Sequence, residues 1–122
     1  MKKYIPFLIV LFFVVFILAC NAILPTVEPP GVGKKAEMGY KLSEPVIAAL
    51  EQYKADHGTY PKTLEELVPD YLSTVPVSTD GVDFSYSSTG ESCSLSFHYT
   101  GPGMNSCTYK PETKDWRCYG AY

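Results

Sequence analysis

Four cysteines (Cys20, Cys93, Cys107 and Cys118) and two histidines (His57 and His98) carry most of the reactive chemistry in this 122-residue chain. A thiolate can take an acyl group, close a disulfide or ligate a metal, and spacing decides among these. Zinc is disfavoured, because no C-x-x-C pair exists and, on a strand running from Cys93, alternation puts His98 on the opposite face. Asp80 and Asp83, on either side of Gly81, are the candidate calcium ligands. Two carboxylates fall short of the six to eight oxygens calcium takes, so the pair reads as a polar turn. No serine stands in a G-x-S-x-G setting, and Gly101-Pro102-Gly103 joins two alternating stretches instead of opening a helix. Neither a nucleophile elbow nor a phosphate cradle follows from such a pattern. His57 falls at the end of a helical pattern, where an imidazole complements the helix dipole. With no nucleophile, base and oxyanion donor to assemble, the expectation is a protein that is not an enzyme, with no cofactor and no small-molecule substrate. The 10 basic and 13 acidic side chains give a net charge of −3. Beyond Lys2-Lys3 the basic cluster is Lys34-Lys35 alone, which argues against nucleic acid as a partner.

Cys20 has the most specific context. Lys2 and Lys3 precede an apolar run from Ile5 to Ala19 that only Pro6 interrupts, the layout of a signal peptide with a small residue before the cut. Ile17-Leu18-Ala19-Cys20 resembles the lipobox of bacterial lipoproteins. The resemblance implies cleavage before Cys20, a diacylated Cys20 thiol and an acylated new amine, placing the chain on a bilayer through its lipid. Left uncleaved, Tyr4 to Leu24 has about the 20 residues needed to span a membrane. Either way the residues after Cys20 lie outside the cytoplasm, since Lys2 and Lys3 stay inside. The expected location is therefore periplasm-facing, at the outer membrane in preference to the inner. Residues 20–35, with Pro25, Pro29, Pro30, Gly31 and Gly33, read as a tether, and residues 36–122 as one small globular domain.

Between Ala36 and Pro61, Met38, Leu42, Val46, Ala49, Leu50 and Tyr53 recur at spacings of three and four, the stripe of an amphipathic helix. Gly58 stands where a left-handed C-terminal cap belongs, and Pro61 disfavours helical backbone at Tyr60. Pro45 removes one helical hydrogen bond, but the stripe runs through it unbroken, so one kinked helix is expected in place of a second helix capped by Ser43. Further on, Thr63 and Glu66 have capping-box spacing for a single turn that Pro69 stops.

From Val82 the period changes to two. Val82, Phe84 and Tyr86 alternate with polar residues, then Cys93, Leu95, Phe97 and Tyr99 do the same. A turn at Thr89-Gly90 would pair Tyr86 with Cys93, Phe84 with Leu95 and Val82 with Phe97. A loop from Gly101 to Asn105 would pair Tyr99 with Cys107 and Phe97 with Tyr109. A turn at Glu112-Thr113 would pair Cys107 with Cys118, Tyr109 with Trp116 and Lys110 with Asp115. All three hairpins agree on the buried face, which predicts an α+β fold with the helix packed on a four-stranded antiparallel meander. In an oxidising compartment, Cys107 and Cys118 then form a disulfide, and Cys93 is left as a small buried apolar residue.

The run Ala48-Ala49-Leu50-Glu51-Gln52-Tyr53-Lys54-Ala55-Asp56-His57-Gly58-Thr59-Tyr60-Pro61, followed by Leu64 to Leu72 and an antiparallel sheet, resembles the periplasmic head of type II secretion pseudopilins and type IV pilin-like proteins. The resemblance covers about Ala36 to Tyr122. The N-terminal run has neither the glycine cut site nor the early glutamate of a pilin, so the chain looks like a pilin-type head on a lipoprotein anchor. It implies a membrane-anchored cell-envelope lipoprotein working by protein contact, with envelope proteins or pilin-like subunits of a secretion or pilus system as partners. The alternative is a pseudopilin-type filament subunit. Tyr60, Tyr71, Tyr119 and Tyr122 exceed what the expected core needs and are candidates for a partner or glycan surface.

Overall fold

The computed structural model describes residues 27–101 and 103–120. The expected signal peptide at residues 1–19, the expected acylation at Cys20 and the expected surface role of Tyr122 fall outside them. Among the described residues no helix is long and apolar enough to cross a membrane. One long helix, α1 (Lys34–His57), is followed by a 3-10 turn (Leu64–Leu67) and four strands: β1 (Ser85–Ser88), β2 (Cys93–Gly101), β3 (Gly103–Lys110) and β4 (Asp115–Gly120). The strands form one antiparallel sheet in the order β1-β2-β3-β4, so the α+β meander is as expected.

Helix α1 ends as the sequence says it must. Gly58 has φ 78° and donates its N–H to the Lys54 carbonyl at 2.8 Å, a left-handed cap that costs a residue without Cβ little. Pro45 lies inside the continuous helix on its exposed side. The Lys41 carbonyl that loses its partner there belongs to an exposed residue, where water can replace the bond. Ser43 caps nothing; it is buried, and its hydroxyl donates to the Gly39 carbonyl at 2.7 Å.

The buried stripe is phased differently from the expected one. Ala36, Gly39, Ser43, Val46, Ala49 and Leu50 are buried, while Met38 is 50% exposed and Leu42 and Tyr53 are only partly covered. The reason is close approach: Gly39 sits against the ring of Phe97 at the centre of β2, and any Cβ there would collide with it. Small residues let the first half of α1 come down onto aromatic side chains, and the larger Val46 and Leu50 fill the second half. After α1, the Tyr60 N–H donates to the Gly90 carbonyl at 2.8 Å, and Tyr60 and Pro61 are buried beneath the β1–β2 loop. Leu64 and Leu67 join that core. The capping box does not form, because the Thr63 side chain makes no cap bond and Glu66 accepts instead from the Lys62 N–H at 3.2 Å.

Two of the three expected registers shift, and the faces survive. β1 and β2 pair Tyr86 with Leu95 and Ser88 with Cys93 around a four-residue loop, Thr89 to Ser92. The favoured two-residue turns need positive φ at least at the first central position; the β-branched Thr89 resists this, whereas the longer loop asks it only of Gly90, at φ 89°. The Thr89 N–H donates to the Ser92 carbonyl at 3.0 Å to close it. Val82 therefore lies before the strand, 48% exposed, instead of facing Phe97. In the second hairpin Phe97 pairs with Cys107, Tyr99 with Asn105 and Gly101 directly with Gly103, whose φ of 86° lets the chain reverse in fewer residues than the five expected. Each register moves by two positions, which leaves every side chain on its original face. The third is as predicted, with Cys107 opposite Cys118, Tyr109 opposite Trp116 and Lys110 opposite Asp115.

Candidate functional site

Cys107 and Cys118 form a disulfide, with an S–S distance of 2.01 Å, on the helix-facing side of β3 and β4. Tyr40 of α1 reaches it: its hydroxyl lies 3.2 Å from the Cys118 sulfur and donates to the Gly31 carbonyl at 3.0 Å. The Gly31 N–H donates to the Tyr99 hydroxyl at 2.8 Å. The residues just before α1 are thus fastened to the sheet, and the helix itself begins at Lys34, two positions before the expected boundary.

Cys93 is free, buried and on the helix-facing side of β2. Burial pushes its thiol up to about 11, so it is protonated and unreactive at neutral pH. His98 projects from the other side and meets the Ser85 hydroxyl at 3.1 Å. Among the described residues no three Cys, His, Asp or Glu side chains converge on one point. The Ser85–His98 contact joins neighbouring strands, so linear motif reading misses it and only register arithmetic could have found it. The pair sits in a field of cross-strand hydroxyl bonds, Ser87 with Ser94 and Ser96 with Thr108, each at 2.8 Å.

Asp80 is held by protein groups. Its carboxylate accepts from the Thr100 N–H at 2.6 Å and the Thr100 hydroxyl at 2.8 Å, and lies 3.1 Å from the Lys35 ammonium. The backbone donor first, then the hydroxyl and ammonium, hold its pKa down at about 2. Lys35 also donates to the Thr100 carbonyl at 2.7 Å, so this trio ties the start of α1 to the end of β2. A carboxylate already meeting three donors has few lone pairs left to offer a cation.

The candidate contact surface lies at the other end of α1. His57 packs against Tyr53 with ring centroids 4.2 Å apart and planes tilted by 32°, and its Nε2 is 3.1 Å from the Tyr71 hydroxyl. Tyr71 donates to Asp56 at 2.9 Å and Tyr53 to Glu66 at 3.2 Å. Beside them a cleft of about 550 Å³ is lined by Tyr53, Thr59, Tyr60, Lys62, Glu66 and the Ser88 to Gly90 segment. Of the tyrosines assigned to a surface, Tyr60 belongs to the core: it is 7% exposed, with the Lys54 ammonium 4.2 Å from its ring centre. Burial, then the charge of Glu51, push its hydroxyl up to about 12. Tyr71 is half-buried, and Tyr119 alone of the described three stands free at 66% exposure. The arrangement offers aromatic rims with fixed hydroxyl and carboxylate groups, suited to binding by contact. Comparison with protein-family models, with curated proteins and with solved structures gives no match to this chain.

Proposed function

We propose that the chain is a non-catalytic cell-envelope lipoprotein, anchored through lipid at Cys20 and working by protein contact through a pilin-like head beside a secretion or pilus system. The observation that carries the reading is the Ile17-Leu18-Ala19-Cys20 junction closing a basic and then apolar N-terminus. The pilin-like part is supported by the segment Tyr53 to Pro61, which caps α1 at Gly58 and then buries Tyr60 and Pro61 beneath the β1–β2 loop. Protein contact is supported by the cluster of Tyr53, His57 and Tyr71 with its adjoining cleft. It lies a helix length, about 36 Å for these 24 residues, from the end where the chain enters the domain. The non-catalytic part is supported by the buried thiol of Cys93, which burial keeps protonated. Metabolic labelling with palmitate tests the reading: label enters the wild-type chain and is absent from Cys20→Ala, and label retained by the variant rejects it.

A further inference from the structure

The entry end of the domain gathers the exposed apolar side chains. Val27, Val32, Val77, Val82 and Met104 are 54%, 53%, 52%, 48% and 76% exposed, and they account for most of the large hydrophobic residues left open among those described. They lie at one end of the fold, held together by polar ties. Lys35 bonds Thr100 and Asp80, the Thr79 hydroxyl donates to the Lys35 carbonyl at 3.1 Å, and the Ser78 N–H donates to the Val82 carbonyl at 2.8 Å. Val82 and Met104 share a cleft of about 310 Å³ with Asp80, and Val32 shares one of about 260 Å³ with Glu28, Lys34 and Lys35. Both clefts include Tyr99 and Asn105, so the two apolar groups adjoin.

We infer that this end rests on the bilayer to which the chain is anchored, with Val32, Val82 and Met104 at the boundary between headgroups and acyl chains. The inference rests on lipid attachment at Cys20. About seven residues separate Cys20 from Val27, and at most about 3.5 Å per residue brings this end within roughly 25 Å of the membrane surface. A link so short holds the domain at a high effective concentration beside the lipid, so a weak apolar contact suffices. Charge does not supply the attraction: Lys35 is paired with Asp80, and Glu28, Glu37 and Asp83 outweigh Lys34. The contact is therefore apolar insertion, insensitive to salt and independent of anionic lipid.

Oxidation of Met104 by hydrogen peroxide reads the contact directly, since an exposed thioether reacts and a covered one is shielded. The full acylated chain, one per phosphatidylcholine nanodisc, is oxidised together with a free peptide of sequence 100–106 as reference. Met104 is expected to react severalfold more slowly than the peptide, at low and high salt alike, and Val82→Glu, at an already exposed position, is expected to restore most of the rate. Met104 reacting at the peptide rate in a chain whose Cys20 lipid is confirmed by mass would overturn the inference and leave the anchor intact. A chain lacking lipid and failing to enter nanodiscs would remove the anchor reading itself. Protection that appears only with several chains per disc would assign the surface to a second copy and also overturn the inference.

Discussion

Alanine at Gly39 pits two effects of opposite sign against each other. Within a helix, Gly→Ala is ordinarily favourable by about 1 kcal/mol, because alanine loses less backbone entropy on folding. At Gly39 the new Cβ would lie closer than 3.0 Å to three atoms of the Phe97 ring. That ring is fully buried, touched edge-on by Tyr40 at 5.3 Å and Trp116 at 5.2 Å, and stacked on Tyr99 at 6.0 Å, so it has nowhere to turn. Overpacking of this kind costs about 1–3 kcal/mol and sometimes more, as α1 must lift from the sheet. Three ring atoms inside 3.0 Å put Gly39 at the upper end of that cost, so the expected net effect is a loss of about 1–2 kcal/mol, or roughly 5–15 °C in the unfolding midpoint of a domain this size. Thermal unfolding of the purified chain, followed by circular dichroism, measures it. Combining Gly39→Ala with Phe97→Leu makes room, so the alanine should then cost less, with a coupling of about 0.5–3 kcal/mol in the double-mutant cycle. A midpoint raised by Gly39→Ala alone, as helix propensity demands, would show that α1 does not seat on Phe97.

Leu50, 1% exposed, should cost about 2–5 kcal/mol as Leu50→Ala in urea unfolding, against a change within about 0.5 for the exposed Glu51→Ala; equal midpoints for Leu50→Ala and wild type would sink the helix-on-sheet core. Non-reducing peptide mapping should recover Cys107 joined to Cys118 and Cys93 free, and replacing both partners by serine should cost up to about 3 kcal/mol in the loop-closure account; a Cys93 cross-link would refute the pairing. Asp80 makes a pH-dependent contribution whose sign follows from its lowered pKa. The stability it adds is present above the ordinary carboxylate value of 3.8 and is lost as pH falls toward about 2. Asp80→Asn should flatten acid unfolding in that window, and an unchanged profile would remove Asp80 from the lock between α1 and β2.

The sequence by itself determined whatever depends on local backbone preference and on parity. The end of α1 at Gly58, the meander, the inward and outward faces of every strand, and the β3–β4 register with its disulfide all follow from positions of glycine and proline and from periods of two and 3.6. Only the tertiary structure decided matters that turn on what lies opposite. Loop length at Thr89–Ser92 and at Gly101–Gly103 depends on which residue takes positive φ, and each choice moves a register by two without disturbing the pattern read from the sequence. The seat of α1 was hidden for a related reason: a hydrophobic pattern selects Met38 for burial and passes over Gly39 and Ser43, whereas close packing selects the residues small enough to admit Phe97. The same holds for the candidate sites. The proposed lipid site at Cys20 rests on local context alone, while the meeting of Lys35 with Asp80 and Thr100, of His98 with Ser85, and of His57 with Tyr71 required strands and helix to be brought side by side.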